Sequence, residues 1–86
     1  MSTWKELLGH ALKGRGETLS DIEANTLTSE DMEREFDGGF GSVEGVSFTA
    51  WSSKTVYFPV CYDGAEWVGC VSRHPDGKPT DHQGGD

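Results

Sequence analysis

The side chains in this 86-residue sequence that most readily do chemistry are two thiols, three imidazoles and fifteen carboxylates. Cys70 and His74 are the one candidate nucleophile and base. Such a pair needs hydrogen-bond reach and a third group that orients the base. The sequence signals neither, and Cys70 reads as a small strand residue. Zinc would need the thiols of Cys61 and Cys70 together with His10, His74 or His82. The spacings Cys-x8-Cys and His-x7-His fit no zinc-site pattern. A harder cation could draw on Asp21, Glu23, Asp37 and Glu44, but no Asp-x-Asp-x-Asp-Gly loop is present. Asp37-Gly38-Gly39 reads better as a helix stop. The expectation is a chain that is not an enzyme and that holds no metal and no cofactor.

The carboxylates are informative through their placement. The formal charge is −8. Residues 1–16 are net basic through Lys5, Lys13 and Arg15, whereas residues 17–45 carry nine acids against Arg34 alone. A field concentrated in this way repels nucleic acid and membrane surfaces and attracts basic proteins. Its densest part is Glu30-Asp31-Met32-Glu33-Arg34-Glu35-Phe36-Asp37. On a helix, Met32 and Phe36 share a narrow apolar face. Glu30, Glu33 and Asp37 lie along one flank, and Asp31 and Glu35 along the other. Neighbouring carboxylates would stand ~5–6 Å apart. The net charge of such a helix, spread over ~12 Å, has a little over half the linear density of duplex DNA. Asp21, Glu23 and Glu44 nearby would close the gap. The plain alternative is a solvated face, because acids in a first turn also suit the helix dipole.

Three helices must position these acids. Thr3-Trp4-Lys5-Glu6 is a capping box, and Trp4, Leu7, Leu8, Ala11 and Leu12 form one apolar stripe. This predicts a helix over 4–13 that ends at Gly14. Ser20-Asp21-Ile22-Glu23 offers a second box and a short helix over 20–25. Thr28 and Asp31, with Leu27 and Met32 as a hydrophobic staple, start a third over 29–37. From Val46 the period changes to two. Strands are predicted over 46–51, 55–62 and 65–72, with Asp63-Gly64 as a type I′ hairpin turn. The fold class is therefore α+β, with N-terminal helices packed on a three-stranded antiparallel meander. Residues 1–73 form the single domain, and residues 74–86 a turn and mobile tail.

The two-residue loop pairs Tyr62 with Ala65, Val60 with Trp67, Phe58 with Gly69 and Val56 with Val71. That row is the expected core face. Cys70 then lies opposite Tyr57, about 13 Å along the strand from Cys61, too far for a disulfide. Pro59 is expected to point its missing N–H outward or to sit at a bulge. Trp51 and Tyr57 are harder to bury in a one-sided sheet. Such residues are enriched at interfaces, which makes the pair a second candidate contact patch. No apolar run approaches the ~20 residues of a membrane span, and no signal-peptide pattern opens the sequence. Both point to the cytoplasm.

A short acidic chain with capped helices and a small meander resembles the small inhibitors encoded by phages and mobile elements. In size and charge it is most similar to anti-CRISPR proteins directed at type I surveillance complexes. The stretch Val56-Tyr57-Phe58-Pro59-Val60-Cys61-Tyr62-Asp63-Gly64-Ala65-Glu66-Trp67-Val68-Gly69 resembles small phage proteins. That class has no common fold and lends no functional residues to this sequence. The resemblance implies a monomer in a bacterial host cell. It would use its acidic surface as a DNA mimic against a basic nucleic-acid-binding protein, such as a CRISPR effector subunit. The alternative is a small phage structural or regulatory protein that binds a partner through its sheet face.

Overall fold

The computed structural model describes residues 2–36, 45–62 and 65–83. It is an α+β fold with antiparallel sheets. Strand β1 (Ser2–Thr3) leads into helix α1 (Trp4–Gly14), and a 3-10 turn (Leu19–Asp21) into β2 (Ile22–Asn25). Helix α2 (Ser29–Glu33) and β3 (Glu35–Phe36) follow, and β4 (Ala50–Ser52), β5 (Thr55–Tyr62) and β6 (Ala65–Ser72) complete the order.

Helix α1 starts at its predicted N-cap, with the Thr3 hydroxyl accepting the Glu6 N–H at 3.1 Å. Gly14 is its last residue but not the left-handed one that closes it. The left-handed residue is Gly16, at φ 73°. The Gly16 N–H bonds to the Lys13 carbonyl and the Glu17 N–H to the Leu12 carbonyl, the paired closure of a Schellman motif. The position after the glycine normally folds an apolar side chain back onto the last turn. Here it is Glu17, and the motif carries that carboxylate inward.

The segment expected as a helix over 20–25 is a 3-10 turn followed by a strand. Its capping box is Thr18 with Asp21, two residues before the expected start. Strand β2 adds to the sheet, which therefore has four strands in the order β2-β4-β5-β6 rather than three. Helix α2 has its predicted cap, with Thr28 and Asp31 exchanging bonds. It ends at Glu33, because Glu35 and Phe36 leave the helix to pair with Thr3 and Ser2. The predicted strand over 46–51 begins only at Ala50. The end of the third predicted helix at Asp37 and the Asp63-Gly64 turn lie outside the described residues.

The β5–β6 register is Tyr62↔Ala65, Val60↔Trp67, Phe58↔Gly69 and Val56↔Val71, as the hairpin pattern predicts. Counting from the closing pair, Pro59 and Val68 form a non-hydrogen-bonded pair, so the missing Pro59 N–H would point away from β6. The β4 ladder on β5 covers only Val56 and Tyr57, so the ladder loses no bond there.

The main core lies on the other face of this hairpin from the one expected; in the expected row only Val60 and Gly69 are buried. Tyr57, Val68 and Ala50 are buried with Trp4, Leu8, Leu12, Leu27, Phe36 and Phe48. Both rows of the hairpin are apolar enough to be a core row. The amphipathic stripe of α1 settles the choice by packing on the Tyr57 row.

Trp4 is the centre of this core. Its ring stands 4.8 Å from that of Phe36 and 4.9 Å from that of Phe48, both tilted. Its indole N–H donates to the Val46 carbonyl at 3.0 Å. The adjoining Gly45 N–H donates to the buried Glu66 carboxylate. Gly45 thus passes between the indole and that carboxylate. A Cβ there would sit 2.5 Å from Trp4 Cζ2 and 3.0 Å from Glu66 Oε1. Neither neighbour has room to withdraw. Gly45→Ala is expected to cost about 1–3 kcal/mol and to lower the melting midpoint by roughly 5–20 °C. Thermal unfolding followed by circular dichroism measures the shift, and an unchanged midpoint would show that the segment around residue 45 does not pack this closely.

Candidate functional site

The predicted acidic residues are spread over four elements rather than carried by one helix. Asp21 belongs to the 3-10 turn, Glu23 to β2, Glu30, Asp31 and Glu33 to α2, and Glu35 to β3. None of the six is buried. Asp37 and Glu44 lie outside the described residues. Helix α2 has five residues and a length of ~7.5 Å at 1.5 Å per residue. It cannot alone present the eight-residue charged rail read from the sequence.

The carboxylates differ in how they are held. Asp21 accepts the Thr18 N–H at 2.8 Å and Asp31 the Thr28 N–H at 3.1 Å, so both serve as helix caps. Glu33 pairs with Lys5 at 3.2 Å and Glu23 with Arg73 at 3.1 Å. Arg73 also donates to the Ser52 carbonyl at 2.8 Å, which ties the end of β6 to β4. Both ion pairs are solvent-exposed and contribute little to stability. Glu30 and Glu35 project from the surface without taking part in a cap or an ion pair among the described residues.

Two other acids leave the surface. Glu17 is 6% exposed and Glu66 7%. The Tyr57 hydroxyl donates a hydrogen bond to the Glu17 carboxylate. Burial by itself would raise the Glu17 pKa. The Tyr57, Ser52 and Thr55 hydroxyls and the Lys54 ammonium outweigh it and hold the carboxyl below the ordinary glutamate value. The same burial, with the carboxylate alongside, pushes the Tyr57 phenol far above its usual range. Ser52 Oγ also accepts the Thr55 N–H at 2.9 Å. The Thr55 hydroxyl is buried in the same cluster and makes no hydrogen bond of ordinary geometry among the described residues. This cluster fastens the link after α1 to β5. Its sequence signal was the glycine two positions beyond the expected helix stop, which puts Glu17 where a buried side chain is normal.

Tyr57, expected in an exposed contact patch, is fully buried. Trp51 is half-buried and stands opposite Val56 on the outer face of the sheet, away from α1. Phe58 and Trp67 share that face and are also half-buried. Cys61 and Cys70 are free thiols. Cys70 is half-buried and His74 exposed, and no hydrogen bond joins them. Among the described residues no group of three His, Cys, Asp or Glu side chains is placed to hold a metal ion, and no helix is long and apolar enough to cross a membrane.

No family model, curated protein or solved structure matches this chain.

Proposed function

We propose that the chain is a stoichiometric inhibitor that engages a basic nucleic-acid-binding surface through its acidic side. The observation that carries this is the charge of residues 18–36, which hold six unburied carboxylates and one base, Arg34, with Glu33 and Glu23 paired to Lys5 and Arg73 from other elements. With α2 only five residues long, the likeness to DNA lies in the summed field rather than in a regular spacing of charges. Such fields steer association and fix orientation between oppositely charged partners. The DNA-binding site of a type I CRISPR surveillance complex is the specific target we propose, on the resemblance in size and charge. The test is competition between the purified chain and labelled target DNA for such a complex. The proposal predicts loss of DNA binding at one chain per site. Glu30→Lys with Glu33→Lys should abolish the competition, while the circular dichroism spectrum stays that of the parent. Unchanged competition by the double variant would remove α2 from the contact surface.

A second reading has its own observation. Trp51, Phe58 and Trp67 lie on the outer face of the sheet, whereas Trp4, Leu8, Leu12 and Met32 of the helices all pack into the inner core. A protein partner seated on this aromatic face would bind with little salt dependence and would be lost in Trp51→Ala.

A further inference from the structure

The two edges of the main sheet are protected very differently. Strand β2 has four residues, carries Glu23 and has an irregular register against β4. Shortness, charge and bulges are the usual defences of an edge against pairing with another chain. Strand β6 has eight residues in unbroken register with β5. It contains no lysine, arginine or proline, and its one charged residue, Glu66, turns its side chain into the core. The hydrogen-bonded pairs of the hairpin fall at Ala65, Trp67, Gly69 and Val71, counting from the closing pair. Val68 and Cys70 therefore direct their backbone N–H and C=O groups outward. No described group bonds to them.

What lies beside that edge is the C-terminal segment. Asp76 accepts the Ser72 hydroxyl at 2.8 Å and the Lys78 N–H at 3.0 Å. These two bonds, the second the stronger influence, hold its carboxyl below the ordinary aspartate value. Further along, Gln83 reaches the outer face, where its Oε1 would stand 2.8 Å from a Cβ on Gly69. Arg15, by contrast, leaves the end of α1 on the inner face and donates to Ser72 at 3.4 Å. Residues 76–83 therefore cross the β6 edge from one face to the other. They do so without a backbone hydrogen bond to it, and a cleft between them and Cys70, Val71 and Ser72 remains open.

We infer that the β6 edge is a strand-pairing site for a second copy of this chain, kept closed in the monomer by residues 74–83. A second copy is the occupant that fits, because an unbroken antiparallel edge is self-complementary about a two-fold axis. Such pairing would satisfy the outward groups of Val68 and Cys70 in both copies. The segment guards the edge by bulk and by its Asp76 anchor rather than by ladder bonds, so it is displaceable.

The experiment compares three proteins by light scattering and amide exchange: the full chain, a chain ending at Arg73, and full-length Asp76→Ala. The full chain should be monomeric. The shortened chain should double in mass, with slowed exchange at Val68 and Cys70. Asp76→Ala should dimerise in a concentration-dependent way. A folded but monomeric shortened chain overturns the inference. So does a dimer in which those two amides exchange as in the monomer, or a full chain that is already dimeric. If the shortened chain fails to fold, a monomeric Asp76→Ala overturns it and a dimeric one supports it.

Discussion

Trp4→Ala is expected to leave the domain largely unfolded. Trp4 is almost completely buried and contacts Phe36 and Phe48 through its ring. Truncating a buried tryptophan costs about 3–5 kcal/mol through lost burial and the cavity left behind. A domain of this size has a total stability of roughly 4–13 kcal/mol at the per-residue values usual for folded proteins. The loss therefore consumes a large share of the whole. The loss reaches beyond the cavity, because the deleted indole N–H also anchors Val46 and the deleted ring also flanks Gly45. Trp4→Phe separates the contributions. It keeps most of the apolar contact and removes the hydrogen bond to Val46, so it should fall between the parent and the alanine variant. Chemical denaturation with intrinsic fluorescence and circular dichroism reads both. A well-folded Trp4→Ala with a parental midpoint would mean that α1 is not seated on this core.

Tyr57→Phe is the second large effect. The substitution is nearly isosteric, so packing changes little. What changes is that the buried Glu17 carboxylate loses its principal donor. Hydrogen bonds to a charged group are worth about 1.5–3 kcal/mol, and an unpaired buried charge costs more than the bond returns. A loss of about 2–3 kcal/mol near neutral pH is expected. The pH dependence identifies the cause. The Glu17 pKa is lowered on folding, so its contribution is present above the ordinary carboxylate range and disappears as pH falls through the folded value. The Tyr57 pKa is raised, so its contribution is complete below pH 10 and declines as pH rises beyond it. The parent should therefore show a plateau of stability with losses at both ends. Tyr57→Phe should lower the plateau and abolish the alkaline loss attributable to this phenol. Adding Glu17→Leu should restore part of the stability, because the charge left without its donor is then gone. Urea midpoints across the pH range test this, and an additive double variant would show that the two side chains are not coupled.

Much of this fold is written locally. The caps at Thr3 and Thr28 are each set within four consecutive residues: Thr28 and Asp31 form the full box, whereas at Thr3 the hydroxyl accepts the Glu6 N–H with no return bond among the described groups. The hairpin register follows from two strands of β-forming residues around a two-residue gap, and it also keeps Cys61 and Cys70 apart. Decisions between distant segments were not legible. Tyr57 and Phe58 are neighbours of similar apolar content, and only the docking of α1 determines which of them is buried. Glu35 and Phe36 continue a helical pattern in the sequence, yet pairing with Ser2 and Thr3 removes them from α2. Ile22 to Asn25 lack the alternation of a half-buried strand, with only Ile22 partly covered. Their strand state comes from bonding to β4. The acidic residues follow the same division. Their number and their concentration in one third of the chain were visible. Their distribution over four elements, and the withdrawal of Glu17 into the core, depend on the tertiary fold.

The central claim, that the acidic side is a contact surface for a basic nucleic-acid-binding protein, is tested most directly by capture from a lysate of bacteria carrying type I CRISPR systems. The parent chain and the Glu30→Lys, Glu33→Lys variant would serve as paired baits, with washes at low and then high salt. The account predicts that the parent retains a DNA-binding complex at low salt, releases it at high salt because ionic contacts are screened, and that the variant never retains it. A partner held equally by both baits and unaffected by salt would contradict the account and place the contact on the outer face of the sheet.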